Sequence, residues 1–313
     1  MFVGNRYEMI GIDEIEIDKI CIARDVYENK RVMIKIVEAT NNVNKDFVSN
    51  LIDESMDMNN IDSPHIAKIL DIGIHCTEIS VLYYIVSEYY DGIELSNMIE
   101  GNYLHLEGII SIATQILKAL EVMNDYGIYH GDIKPSNVFV DRFYNVKIYG
   151  FGETKANKGV NLRNNNDLRY LSPHQLNINY TDKESDFFSL GILLFECVFK
   201  RVPFDSMEND ELQLKKIDKG VSWEYIKSIN GNDDLIKIIK KLLSRTNKYK
   251  DIQSIIIDLS MIMYEKADTQ RMQAIKCEDI IEEKYTKAGL INRKVVLNMG
   301  IITMVLLMVL SII

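Results

Sequence analysis

Alternating and continuous apolar runs dominate the first third of the chain. ICIARDVY (20–27), RVMIKIVEA (31–39) and VLYYIVSEYY (81–90) have the period and the β-branched and aromatic content of strands. They bracket one amphipathic stretch, Lys45 to Asn59, which predicts a helix. After Asp91-Gly92 the period lengthens. Apolar residues recur at helical spacing from Leu106 to Tyr126 and again from Ser185 to Phe199. A strand-rich beginning and a helix-rich remainder predict an α+β molecule of two lobes joined by a short hinge. The lobes are expected over residues 1–90 and 91–265. A charged, helix-compatible stalk follows over 266–294. The last stretch, 295–313, reads VVLNMGIITMVLLMVLSII and carries no charge. As a helix it would span about 28 Å, close to the hydrocarbon thickness of a bilayer. It is therefore predicted to be a transmembrane helix, with Arg293 and Lys294 placing the preceding lobes on the cytoplasmic side.

Composition narrows the choice of partner. The formal net charge of −10 and a pI near 5.1 argue against nucleic acid, whose phosphates need clustered Lys and Arg. Cys21, Cys76, Cys197 and Cys277 are far apart in sequence, so no C-x-x-C metal or redox pair exists. The first residues lack a charged start followed by an apolar run, and no secretory signal is predicted.

The chemistry sits in the middle of the chain. Tyr129-His130-Gly131-Asp132-Ile133-Lys134-Pro135-Ser136-Asn137-Val138 resembles the catalytic loop of protein kinases, with Gly131 where that family has Arg. Five other segments agree in order. Val32-Met33-Ile34-Lys35 resembles the phosphate-lysine strand. Glu54 lies on the predicted helix where the family places the lysine's partner. Tyr84 to Gly92 resembles the hinge, with Ser87 as gatekeeper and with Glu88 and Tyr90 as base-holding positions. Tyr170-Leu171-Ser172-Pro173-His174-Gln175 resembles the end of the activation segment in bacterial Ser/Thr kinases. Ser185 to Gly191 resembles the helix whose acid, here Asp186, supports the catalytic loop. The resemblance covers about residues 6 to 263. It implies a two-lobed kinase fold with a small β-rich N-lobe and a larger helical C-lobe. It also implies ATP and magnesium as cofactors if the chain is active. Asp132 would then be the base, Lys134 and Lys35 the phosphate-binding cations and Asn137 a metal ligand.

The departures cluster at the nucleotide. The metal-binding Asp of the family's Asp-Phe-Gly motif is Gly150, which has no side chain to offer a hard cation. The nearest carboxylate, Glu153, is expected to be too displaced to serve, and Gly150→Asp to restore some metal dependence. The three glycine positions of the phosphate loop fall on Asp13, Ile15 and Asp18, so the close backbone approach to phosphate is lost. Met33 replaces the small residue that roofs the adenine. The family's buried Glu–Arg pair becomes His174 and Lys248. Lys35 and Glu54 both remain and are expected to form a structural ion pair. These changes predict a membrane-tethered pseudokinase that acts by binding a cytoplasmic signalling partner. The alternative is a divergent but active Ser/Thr protein kinase.

Overall fold

The structure is a computed structural model; it describes residues 1–11, 14–39, 45–77, 80–151, 153, 168–205, 207, 209–223 and 232–287. Asp13 and the apolar stretch 295–313 lie outside the described residues. Among the described residues no helix is long and apolar enough to cross a membrane. The chain divides into two units, Met1–Leu259 and Ser260–Ile313.

The first lobe of the larger unit is an antiparallel sheet. Its strands are β1 (Phe2–Val3), β2 (Tyr7–Met9), β3 (Ile20–Asp25), β4 (Lys30–Glu38), β5 (Ile69–Cys76) and β6 (Val81–Glu88), in the order β1-β2-β3-β4-β6-β5. Two adjacent interior strands, β4 and β6, are the continuous apolar runs of the sequence. Six consecutive residues of each are buried, because both faces of the sheet are covered there. One face packs Val3, Tyr7, Ala23, Ile34 and Val86. The other packs Val37, Ile69 and Ile85 against Phe47 and Leu51 of helix α1 (Lys45–Asn59). Register places Lys35 opposite Ile85 on one side and Ile20 on the other, and Met33 opposite Ser87.

The second lobe is helical. Helices α2 (Leu95–Glu100), α3 (Leu106–Asp125), α4 (Pro173–Ile178), α5 (Lys183–Phe199), α6 (Asp210–Lys219) and α7 (Asp233–Leu242) surround a small sheet. Its strands β7 (Ile93–Glu94), β8 (Val138–Val140) and β9 (Val146–Ile148) are antiparallel in that order. Helix α3 is the axis of this lobe, with Ile112, Ala113, Ile116, Leu117, Ala119, Leu120 and Met123 inaccessible. Capping boxes start α4 (Ser172 with Gln175) and α5 (Asp182 with Ser185), supplying acceptors for the first free N–H groups. A parallel bridge, Ile66 to Ile148, fastens the segment before β5 to β9 and so joins the lobes. Helix α8 (Ile252–Lys287) begins in the larger unit, where Ile255 and Leu259 are buried, and forms the described part of the second.

Candidate nucleotide and catalytic site

Asp132, Lys134 and Asn137 come together in the loop after α3. The Lys134 ammonium is 2.8 Å from Asp132 Oδ2. Asn137 Nδ2 donates to the same oxygen at 2.9 Å and to the Asp132 backbone carbonyl at 2.8 Å. Burial pushes the Asp132 carboxyl up, but Lys134 and Lys35 outweigh it and hold the group below the usual carboxylate range. Asp132 is therefore ionised at neutral pH, as a proton acceptor must be.

The loop is supported from beneath. Asp186, wholly buried on α5, accepts hydrogen bonds from the backbone N–H groups of His130 (2.9 Å) and Gly131 (2.7 Å). Gln175, buried on α4, donates to the Gly131 carbonyl at 2.7 Å. Gly131 has φ +76°, a conformation that suits glycine and disfavours the Arg of the family motif. His130 is inaccessible and neutral, and its tautomer is fixed. The Asp132 N–H donates into Nδ1 at 3.2 Å, and Nε2 lies 2.9 Å from the Tyr149 carbonyl, to which it donates. Burial lowers its pKa to about 4. Gln175 and the His130 tautomer lie within motifs that the sequence identified, but their partners are too far along the chain to be read from it.

The phosphate lysine is placed as expected, but its partner is not the expected one. Lys35 Nζ is 2.7 Å from Glu153 Oε2, and both side chains are about 90% buried. The Lys35–Glu54 pair is not formed; Glu54 lies on α1 and Lys35 is turned to Glu153. Burial acts to neutralise Lys35, but Glu153, Asp132 and Asp18 overcome it and raise its pKa, so it stays an ammonium. Glu153 does swing into the site. A Cβ built on Gly150 would stand 3.5 Å from Glu153 Oε1, so its carboxylate fills the space into which a side chain at 150 would project.

The phosphate loop is replaced by a packed edge. Ile15 and Ile17 lie against the apolar face of the sheet. Asp18, at φ +60°, is pinned by its N–H to the Ile36 carbonyl at 2.7 Å. Its Oδ2 is buried and has no hydrogen-bond partner among the described residues. Burial raises its pKa, Lys35 and Lys134 partly offset this, and Glu153 and Asp132 add to it.

The base site is occupied by side chains. Met33 of β4, 2% exposed, forms one apolar cluster with Ala67, Phe139 of β8 and Tyr149, and Ile20, Tyr89 and Tyr90 pack against it. Upper and lower lobes thus meet where a purine would lie. The Tyr149 hydroxyl donates to the Glu88 backbone carbonyl at 3.0 Å, taking the polar edge of the hinge. The Glu88 carboxylate pairs with Lys147 at 2.8 Å, and the Tyr90 hydroxyl bonds the Asn145 carbonyl at 3.1 Å. The cavity bounded by Ile20, Met33, Lys35, Ser87, Tyr149 and Glu153 measures about 10 Å³, scarcely room for one water.

ATP does not fit these residues as arranged. Its base position is filled, its lysine is taken, and Asp18 brings a carboxylate to the phosphates. Magnesium finds Asn137, no side chain at Gly150, and over it a Glu153 carboxylate already paired with Lys35. Among the described residues no group of three or more His, Cys, Asp or Glu could hold a metal ion.

A cavity of about 220 Å³ lies beside α4, lined among others by Ser172, His174, Glu184, Phe187, Arg245 and Lys248. His174 turns to Asp182 at 2.9 Å and Lys248 to Glu184, so each end of the former pair has found a new partner.

Comparison with known proteins agrees with this layout. Residues 17–285 match the family model described as "Protein kinase domain". A probable serine/threonine-protein kinase of Clostridium perfringens is 31% identical over 287 residues, covering 88% of this chain and 41% of the relative. The serine/threonine-protein kinase PrkC of Bacillus subtilis is 32% identical over 221 residues, covering 69% of this chain and 34% of the relative. The chain thus spans well under half the length of either. A crystal structure of Rad53 residues 1–466 in complex with AMP-PNP superposes with a TM-score of 0.61 at 19% identity. It covers 80% of this chain and 64% of that one, which establishes likeness of fold.

Proposed function

The chain belongs to the protein kinase family, in its bacterial serine/threonine branch, and we propose that within that family it is a pseudokinase. It acts as a kinase-shaped binding module toward a cytoplasmic signalling protein. The observation that carries this reading is the plugged base site, with Met33, Phe139 and Tyr149 in one cluster and the Tyr149 hydroxyl on the Glu88 carbonyl. A purine would have to displace buried apolar side chains and then compete for an acceptor already in use. Residues 295–313 serve as a single-pass membrane anchor, and the support for this is their uncharged sequence.

Thermal denaturation of the full chain in mild detergent, with and without millimolar ATP and Mg²⁺ or Mn²⁺, tests the pseudokinase reading, since a ligand of the folded state must raise the midpoint. No shift is expected. A metal-dependent rise, with phosphate transfer to a generic substrate that Asp132→Ala abolishes, would favour a divergent active serine/threonine kinase. The assembled Asp132, Lys134 and Asn137 are the observation on that side. The anchor is tested by removing 295–313. The shortened chain should leave the membrane fraction, and an intact chain soluble without detergent would refute the tether.

A further inference from the structure

We propose that Glu153 is the fold's own anion in the phosphate site, an autoinhibitory contact that replaces the carboxylate lost at Gly150 and holds Lys35 in the absence of any ligand. Three observations converge. Glu153 is buried beside Lys35, with Nζ and Oε2 2.7 Å apart. Its carboxylate fills the space over Gly150, whose φ of +91° is a backbone conformation that glycine takes readily and an aspartate does not. Lys35 makes this pair although Glu54 is present on α1. The loss at 150 and the acid at 153 are thus two halves of one rearrangement, which moves the carboxylate three residues along the chain and turns it onto the lysine.

The contact has a consequence for ligands. Lys35 and Lys134 share the cleft with Asp18, Asp132 and Glu153, and Lys134 is itself paired with Asp132. An incoming oxyanion must displace a carboxylate that the chain supplies at high local concentration. It would then meet Asp18, whose buried oxygen already lacks a hydrogen-bond partner among the described residues. The contact also joins β4 of the first lobe to the segment after β9.

Inorganic tripolyphosphate without metal is the probe, because it carries no base and so bypasses the plugged purine site. Wild type should show negligible binding in the full chain in detergent. Glu153→Gln should bind at least tenfold more tightly, and Lys35→Met/Glu153→Gln should lose the gain. Equal binding by wild type and Glu153→Gln, or a gain that survives without Lys35, overturns the proposal. Melting temperatures in nucleotide-free protein give a second readout. Lys35→Met and Glu153→Gln should each lower the midpoint, and the double variant should melt no lower than the worse single one; additive losses overturn it. Should Glu153→Gln fail to fold, Lys35→Met/Glu153→Leu, which removes both buried charges, must fold, and its failure overturns the proposal. Binding of ATP by wild type while tripolyphosphate alone is still excluded would sink the pseudokinase reading and leave this coupling untouched, so the two can fail separately.

Discussion

Gly150→Asp restores, on paper, the acid that the kinase motif calls for, and the structure turns it into a destabilising change. Two terms add. The backbone at 150 has φ +91°, where a residue with a Cβ is strained by about 1–3 kcal/mol. The new Cβ would stand 3.5 Å from Glu153 Oε1, which is ordinary contact for carbon. A carboxylate built on it, however, meets another at about 4 Å, where repulsion at an effective dielectric of 20 is about 4 kcal/mol. The sum is about 5–7 kcal/mol, an upper bound because the two carboxylates can move apart. At about 2–4 °C per kcal/mol for a body of this size, the midpoint should fall by several degrees, up to about 10–28 °C. Urea denaturation followed by the single tryptophan, Trp223, packed edge-on to Phe195, reads the C-lobe directly. Gly150→Ala isolates the backbone term and should lose only about 1–3 kcal/mol. Gly150→Asp/Glu153→Gln removes the repulsion and still leaves one carboxylate beside Lys35, so it should return to the Gly150→Ala level. If Gly150→Asp proves as stable as wild type, or if Glu153→Gln fails to relieve it, the placement of Glu153 over Gly150 is wrong.

Met33→Ala should lower stability by about 2–5 kcal/mol in a denaturant titration, since it empties the centre of a fully buried cluster, and it should be the single change most able to admit a nucleotide base. His130 predicts a pH dependence. Its folded pKa, lowered to about 4, lies below the ordinary value of 6.5, so its contribution is complete above pH 6.5 and is lost as the pH falls toward 4. The loss is about 3 kcal/mol, and His130→Gln should flatten that part of the stability–pH curve. Asp186→Ala should lower the melting midpoint more than Asp132→Ala, because it strips the acceptors from two buried backbone N–H groups at about 1–3 kcal/mol each, while the Asp132 carboxylate is partly exposed. Equal midpoints for the two would refute the assignment of Asp186 as the support of the loop.

What the sequence determined was local. The helix over Lys45 to Asn59 and the buried strand carrying Lys35 follow from apolar period alone, since burial on one face or both leaves a spacing that neighbouring residues share. Asp132, Lys134 and Asn137 lie within six residues, so their spacing already placed them in one loop, where the structure finds them bonded. The missing acid at 150 and the missing glycines at 15 and 18 were legible for the same reason: an absent group needs no fold to be absent. Which groups replaced them was decided only by tertiary structure. Lys35 reaches Glu153 across 118 residues of chain, and Tyr149 reaches the Glu88 carbonyl across 61. Glu54 and Glu153 are equivalent carboxylates in a sequence, and family pattern favoured the first. The choice rests on which of them the fold brings within 3 Å of a buried ammonium. That depends on a glycine backbone at positive φ, on a cluster built from both lobes around Met33, and on the cost of leaving a buried charge unpaired, none of which is a property of any one segment.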